Sequence, residues 1–275
     1  MAGIEWRTYE AGHCMHPQCS TRRRGSWKMV RFPSLTFLLR HPTHGTMLFD
    51  TGYSEHFFHA TRHLPERLYR TITPPHLREQ ESLCNQLARD GIDVRDIGTV
   101  MLSHLHGDHI GGLHDFPHSP ILCSREAWND LHARSRLGAL KRGLLPGLLP
   151  ANFLERVRWI EDTPSVRLSG CFAEFEAGHD LWADGSMLAI ALPGHAAGHY
   201  GLLFRAANGE QVFLVADAAW SSQAVRDGIA PPGMVTSWLG DTHAYLATLA
   251  RLQRLRHAEP GLRIVPSHCG EHRPR

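Results

Sequence analysis

The chain has no apolar run of 18 residues, so nothing in it reads as a membrane-spanning helix. Charge of either sign is in small surplus: the formal net charge is +2, and Arg22-Arg23-Arg24 is the longest same-sign tract. Neither nucleic acid nor a membrane surface is therefore expected as a partner. Cysteine is sparse. Cys14, Cys19, Cys84, Cys123, Cys171 and Cys269 follow no framework spacing, which excludes a disulfide scaffold and leaves free thiols as the expected state. Within His13-Cys14-Met15-His16-Pro17-Gln18-Cys19 the cysteine spacing of four would suit a zinc ion, yet no second ligand pair follows nearby. The first residues, with Glu5, Arg7 and Glu10, lack the basic-then-apolar order of a secretory leader, so a cytoplasmic protein is expected.

Histidine is what the chain has in quantity, 21 in 275 residues. Ser103-His104-Leu105-His106-Gly107-Asp108-His109-Ile110-Gly111-Gly112 sets three imidazoles and a carboxylate directly after the apolar stretch 98–103. Neutral imidazole nitrogens and carboxylate oxygens are ligands for Zn²⁺ and neighbouring first-row ions, and clustering them locally lowers the entropic cost of assembling a site. In an extended segment His104 and His106 project to one side. The glycines mark a sharply bent loop on which Asp108 and His109 can point elsewhere, an arrangement for two ions and not one.

Two ions need more ligands, and the chain offers them at strand ends. His195 and His199 follow the apolar segment 187–192, Asp217 follows 211–216, and His268 closes 264–267. Ends of adjacent strands meet at one sheet edge, so these residues are expected to converge on the first cluster.

In order and context His104, His106, Asp108, His109, His195, Asp217 and His268 resemble the metallo-β-lactamase-fold hydrolases. Asp50-Thr51-Gly52 and the Pro193-Gly194-His195-Ala196-Ala197-Gly198-His199 run are further matches, and the resemblance spans roughly residues 30–270. The stretch from Pro74 to Leu83 is most similar to the N-acyl homoserine lactonase branch. This resemblance implies a four-layer αββα sandwich of two mixed sheets. It places His104, His106 and His195 on one divalent ion, Asp108, His109 and His268 on the other, and Asp217 between them. A bridging hydroxide would attack the substrate and Asp108 would pass the proton to the leaving group. Zn²⁺ is the expected metal, with Mn, Fe or Co compatible with the same ligands.

Four other residues are candidates for supporting roles. Asp50 is expected to fix the loop beneath the site, and His199 to orient its neighbours. The resembling lactonases carry a tyrosine three positions after the bridging aspartate, where this chain has Trp220. An indole donates one hydrogen bond and cannot supply a proton as a phenol does. Tyr200 is the phenol nearest in sequence, although a place within strand 200–205 favours ordinary packing.

The remaining pattern fits one domain over 1–275. Strands are expected at 28–32, 34–40, 46–49, 98–103, 187–192, 200–205 and 211–216, and helices at 79–90 and 242–257. Asp241 would cap the second helix, with Leu246, Leu249 and Leu252 as its apolar stripe. Between the halves, 131–153 mixes seven leucines with Arg134, Arg136, Lys141 and Arg142. A helical cap over the pocket is expected there, with leucines along an acyl groove and basic residues near an anionic tail, or else an excursion packed on the core. Trp6, Tyr9 and Trp27 would suit a rim or a homodimer contact. The expected activity is hydrolysis of a carboxylic ester or lactone, an acyl homoserine lactone included. The alternative is a thioesterase acting on acyl-coenzyme A or, as glyoxalase II does, a glutathione thioester; a non-hydrolytic metal-binding or redox module is the remaining class.

Overall fold

The computed structural model describes residues 3–274. Its first sheet holds β1 (Glu5–Pro17), β2 (Met29–His41), β3 (Gly45–Phe49), β4 (Pro75–His76), β5 (Thr99–Met101), β6 (Ile121–Cys123) and β7 (Val157–Trp159), in the order β4-β1-β2-β3-β5-β6-β7. The second holds β8 (Ser165–Arg167), β9 (Ala177–Asp180), β10 (Met187–Ala191), β11 (Tyr200–Arg205), β12 (Gln211–Ala216) and β13 (Arg263–Pro266), in the order β13-β12-β11-β10-β9-β8. Both are mixed: β3, β5, β6 and β7 run parallel, as do β12 and β13, while the other pairings are antiparallel.

Alternation along the strands explains why two sheets need four layers. On β2, Leu35, Phe37 and Leu39 face the second sheet, and β11 and β12 answer with Leu202, Phe204, Val212 and Leu214. The intervening Leu38 points outward into a cluster with Leu83, Leu87 and Phe57 from helices on that side. Likewise Leu203, Phe213 and Val215 turn outward to meet Leu249, Leu252 and Leu255 of the helix Thr242–Ala258. Sheets with both faces apolar must be covered on both, and helices supply the cover.

Several elements differ from expectation for identifiable reasons. The two strands expected at 28–32 and 34–40 are one, β2, which runs through Pro33. Proline cannot donate to the ladder, and the pairing with β1 shifts register between Glu10 and His13 to accommodate it. The helix expected at 79–90 is a short 3₁₀ turn, Glu79–Glu81, and a helix Leu83–Arg89, because Ser82 is extended (ψ 142°) between them. The helix Thr242–Ala258 is capped by Asp241, whose side chain accepts from the Ala244 amide at 2.9 Å. Its buried stripe, however, is Tyr245, Thr248, Leu249, Leu252 and Leu255, and Leu246 is 40% exposed. At 100° per residue Leu246 falls well off the face that Leu249 and Leu252 share.

Segment 131–153 places Leu144, Leu145, Leu148 and Phe153 in the outer core of the first sheet, while Leu137 is exposed. Arg134 pairs with Asp130 and Arg136 with Glu66, each at 2.6 Å. Of the early aromatics, Tyr9 is buried and Trp6 packs on Phe37 and Phe204 (6.1 Å each); Trp27 alone of the three is exposed. Cys14 faces the core while His13 stacks on His76 at 5.1 Å, so the donors of the His13 to Cys19 segment diverge. The helix register yields a direct expectation. Leu252→Ala should destabilise by about 2–5 kcal/mol and Leu246→Ala by about 0.5 kcal/mol or less in denaturant unfolding; equal losses would refute the stripe described here.

Candidate metal centre

The first ligand run leaves β5 at the sheet edge. Asp50, just past β3, holds it from below while fully buried: one carboxylate oxygen accepts from the Ser103 amide (2.8 Å), the other from the Ser103 hydroxyl (2.7 Å) and from His109 Nδ1 (2.7 Å). Asp50 adopts φ 62°, a left-handed turn that directs its side chain back under the loop. Ser103 Oγ also lies 2.9 Å from His104 Nδ1. These contacts occupy the rear nitrogens of His104 and His109 and leave both Nε2 atoms buried without an aligned hydrogen-bond partner. Carboxylate and hydroxyl support of this kind fixes the tautomer and orientation of a ligating imidazole.

The other half of the molecule brings three more donors to the same edge. The β12–β13 pairing shifts register between Leu214 and Ala216, and Ala216 turns left-handed (φ 43°), so the chain bends as it presents Asp217. His268 follows β13, and its Nδ1 donates to the carbonyl of Pro33 at 2.7 Å. His195 Nε2 sits 2.9 Å from His106 Nδ1 and 3.1 Å from Asp217 Oδ2. His268 Nε2 lies 3.1 Å from Asp217 and 3.4 Å from Asp108 Oδ2; His109 Nε2 lies 3.3 Å from Asp217 Oδ1.

Two donor sets result. His104, His106, His195 and Asp217 offer ligand atoms within 4.8 Å of one another, and so do Asp108, His109 and His268. Nitrogen and oxygen donors in this number, buried together with Nε2 of His104 and His109 and Oδ1 of Asp217 unpartnered, fit two divalent cations better than an apolar core. Burial pushes His104 and His106 well below the usual histidine range, which keeps them neutral as ligation requires. Burial works against the charge of Asp217, but His268, His109 and His195 around it outweigh that and hold its carboxyl well below the usual range.

The supporting candidates divide. His199 is buried, its ring 5.0 Å from that of His104, and its Nε2 accepts from the Asp217 amide at 3.2 Å. Burial lowers its pKa to about 3. Trp220 donates its indole N–H to Asp217 Oδ2 at 3.1 Å. Tyr200, by contrast, lines a cavity of about 400 Å³ with His106, His199, Arg134, Arg142 and Leu144. Its hydroxyl is influenced by Glu161 and Glu126, and burial is the main reason its pKa rises to about 12. Ser34, whose hydroxyl donates to the Asp108 carbonyl at 2.7 Å, and Pro33 went unmarked in the sequence.

The profile of the Metallo-beta-lactamase superfamily matches residues 29–268. The chain belongs to this superfamily. Among curated relatives of this metallo-β-lactamase-fold chain, an N-acyl homoserine lactonase AttM of Azorhizobium caulinodans is 27% identical over 201 residues, 70% of this chain and 66% of that protein. Gamma-lactamase FDB1 of Fusarium pseudograminearum is 27% identical over 62% of this chain, which spans only 41% of it. An N-acyl homoserine lactonase of Bacillus cereus is 25% identical across 89% of this chain and 85% of its own length. In three dimensions, a B. thuringiensis AiiA variant crystallised with N-decanoyl-L-homoserine at its active site superposes with TM-score 0.71 at 22% identity, covering 98% of this chain and 95% of the other. The four-layer fold expected for the superfamily is the one observed.

If Asp50 orients His109 as its bonds indicate, Asp50→Ala should weaken metal retention by about 10–100-fold. Competitive titration against a chromogenic chelator measures this, and unchanged affinity would remove Asp50 from the supporting shell.

Proposed function

We propose that this chain is a dinuclear-metal hydrolase that opens a lactone ring, with N-acyl homoserine lactones as the substrate class. The observation that carries the reading is the meeting of the two donor sets at Asp217, with Asp108 at the less buried side of the second set. The lactonase relatives point the same way.

Here His104, His106 and His195 would hold one ion and Asp108, His109 and His268 the other, with Asp217 between. Bound divalent ions, Zn²⁺ or a similar metal, supply Lewis acidity and a hydroxide nucleophile near neutral pH. The protein does the remainder. Asp50, Ser103 and the Pro33 carbonyl keep the imidazoles aimed, and His199 and Trp220 brace Asp217 from its amide and its Oδ2. Ring opening joins water oxygen to the acyl carbon, breaks the ring C–O bond and delivers a proton to the departing oxygen. Asp108, 13% exposed at its side chain, is placed to carry that proton.

The thioester alternative leaned on free cationic side chains for an anionic tail. Three of the four are instead engaged, Arg134 and Arg136 by Asp130 and Glu66 and Arg142 by the Gly240 carbonyl at 2.9 Å, leaving only Lys141 without a partner among the described residues. Lactones therefore stand ahead of coenzyme A and glutathione thioesters. No helix among the described residues is long and apolar enough to cross a membrane.

The test is steady-state turnover of hexanoyl and decanoyl homoserine lactones, aryl esters, acyl-coenzyme A and S-lactoylglutathione by protein of known metal content. Lactone hydrolysis should dominate, vanish on chelation and return with Zn²⁺, Mn²⁺ or Co²⁺. Asp108→Asn should lower turnover by about 10²–10⁴-fold with the fold retained. Thioesters outpacing lactones would reverse the order of substrates.

A further inference from the structure

Lactone opening places negative charge on the carbonyl oxygen, and a site of this kind gains most from a donor aimed at that atom. The tyrosine that serves the resembling lactonases is Trp220 here. An indole carries one N–H, and that of Trp220 is engaged by Asp217 Oδ2 at 3.1 Å. Its ring is packed edge-on against Phe32 at 5.3 Å, so it is not free to swing toward a substrate.

The chain contains five tyrosines, and four are otherwise placed. Tyr9 donates to Asp90 at 2.6 Å. Tyr53 and Tyr245 are sealed at 1% exposure. Tyr200 lines the cavity that also reaches His106 and His199, but it sits on β11 near Glu126 and Glu161, and burial pushes its phenol up to about 12. The fifth, Tyr69, lies on the short helix Arg67–Ile72, which exposes Leu68 and Ile72 and turns Tyr69 inward to meet Phe57 at 5.4 Å.

Three observations bring Tyr69 to the metal centre. Gly143, at φ 74°, lets the chain pass between it and the ligand set: a Cβ there would lie 3.4 Å from His106 Nε2 and 3.5 Å from Tyr69 Cε2. The phenol makes no hydrogen bond among the described residues, and burial, followed by the carboxylates of Asp108 and Asp217, pushes its pKa well above the usual tyrosine range. Finally, Glu66, the residue that precedes this helix, pairs with Arg136 at 2.6 Å, tying the helix start to the segment that leads on to Gly143. We propose that Tyr69, not Trp220, donates the hydrogen bond to the carbonyl oxygen as it becomes an oxyanion. This rests on the hydrolytic reading above, and it relocates to a different element a function that the resembling enzymes place three residues after the bridging aspartate.

Tyr69→Phe removes the hydroxyl and keeps the ring on Phe57. Since that hydroxyl bonds to nothing in the protein, the melting temperature and bound-metal count should be unchanged. Calorimetric titration of the metal-loaded protein with hexylphosphonate, a tetrahedral anion, should show binding about tenfold weaker than wild type. With hexanoyl homoserine lactone, kcat should fall about a hundredfold while KM shifts little. Equal phosphonate affinity in the two proteins would overturn the assignment, as would loss of metal in the variant. Weaker phosphonate binding together with a wild type inert on every lactone would uphold Tyr69 as the oxyanion donor and refute the substrate class instead.

Discussion

The structure is organised around one requirement: a cluster of imidazoles and carboxylates buried at a sheet edge must have every polar atom answered. Unpaired charge in such a place is costly, and protein partners answer several of these groups from behind, while Nε2 of His104 and His109 and Oδ1 of Asp217 are left facing the cluster without an aligned partner. His109 leans on Asp50, His104 on Ser103, and His268 on the Pro33 carbonyl; Asp217 is held from its amide by His199 and from its carboxylate by Trp220. Irregularities elsewhere serve this end. The β1–β2 register shift at Pro33 and the left-handed residues Asp50 and Ala216 interrupt regular strands where the site needs a side chain re-aimed.

Much of this was legible in the sequence because it is local. The run from His104 to His109 combines ligand chemistry with glycines that bend it, and Asp217 and His268 each terminate an apolar segment whose strand character shows in its composition. Asp241 as the cap of a long helix needed only the capping rule. The superfamily and its layered architecture were what the resemblance carried by these residues implied.

What escaped reading depends on contacts between distant segments. The buried face of Thr242–Ala258 includes Tyr245 and Thr248 because the outer face of the second sheet lies there, and Leu246, apolar but off that face, misled the pattern. The leucines of 131–153 left a groove and a core-packed excursion both open, because periodicity shows that a residue is apolar and not what it touches; Leu144, Leu145 and Leu148 pack in the core. Nothing around Leu68-Tyr69-Arg70 marks a phenol near the ligands. Its position emerges only when Gly143 brings the chain past His106.

The donor sets also carry a consequence for how the molecule is made. His104 and His106 leave the first sheet, whereas His195 and Asp217 leave the second, and they complete one set only when the sheets have docked. Neither half can hold that ion alone, so metal affinity is a property of the finished sandwich. An ion held by such a set would act as a clamp across the seam between the sheets, shifting the balance toward the docked state by mass action. The supply of free metal during synthesis would then bear on the yield of native protein as well as on its activity.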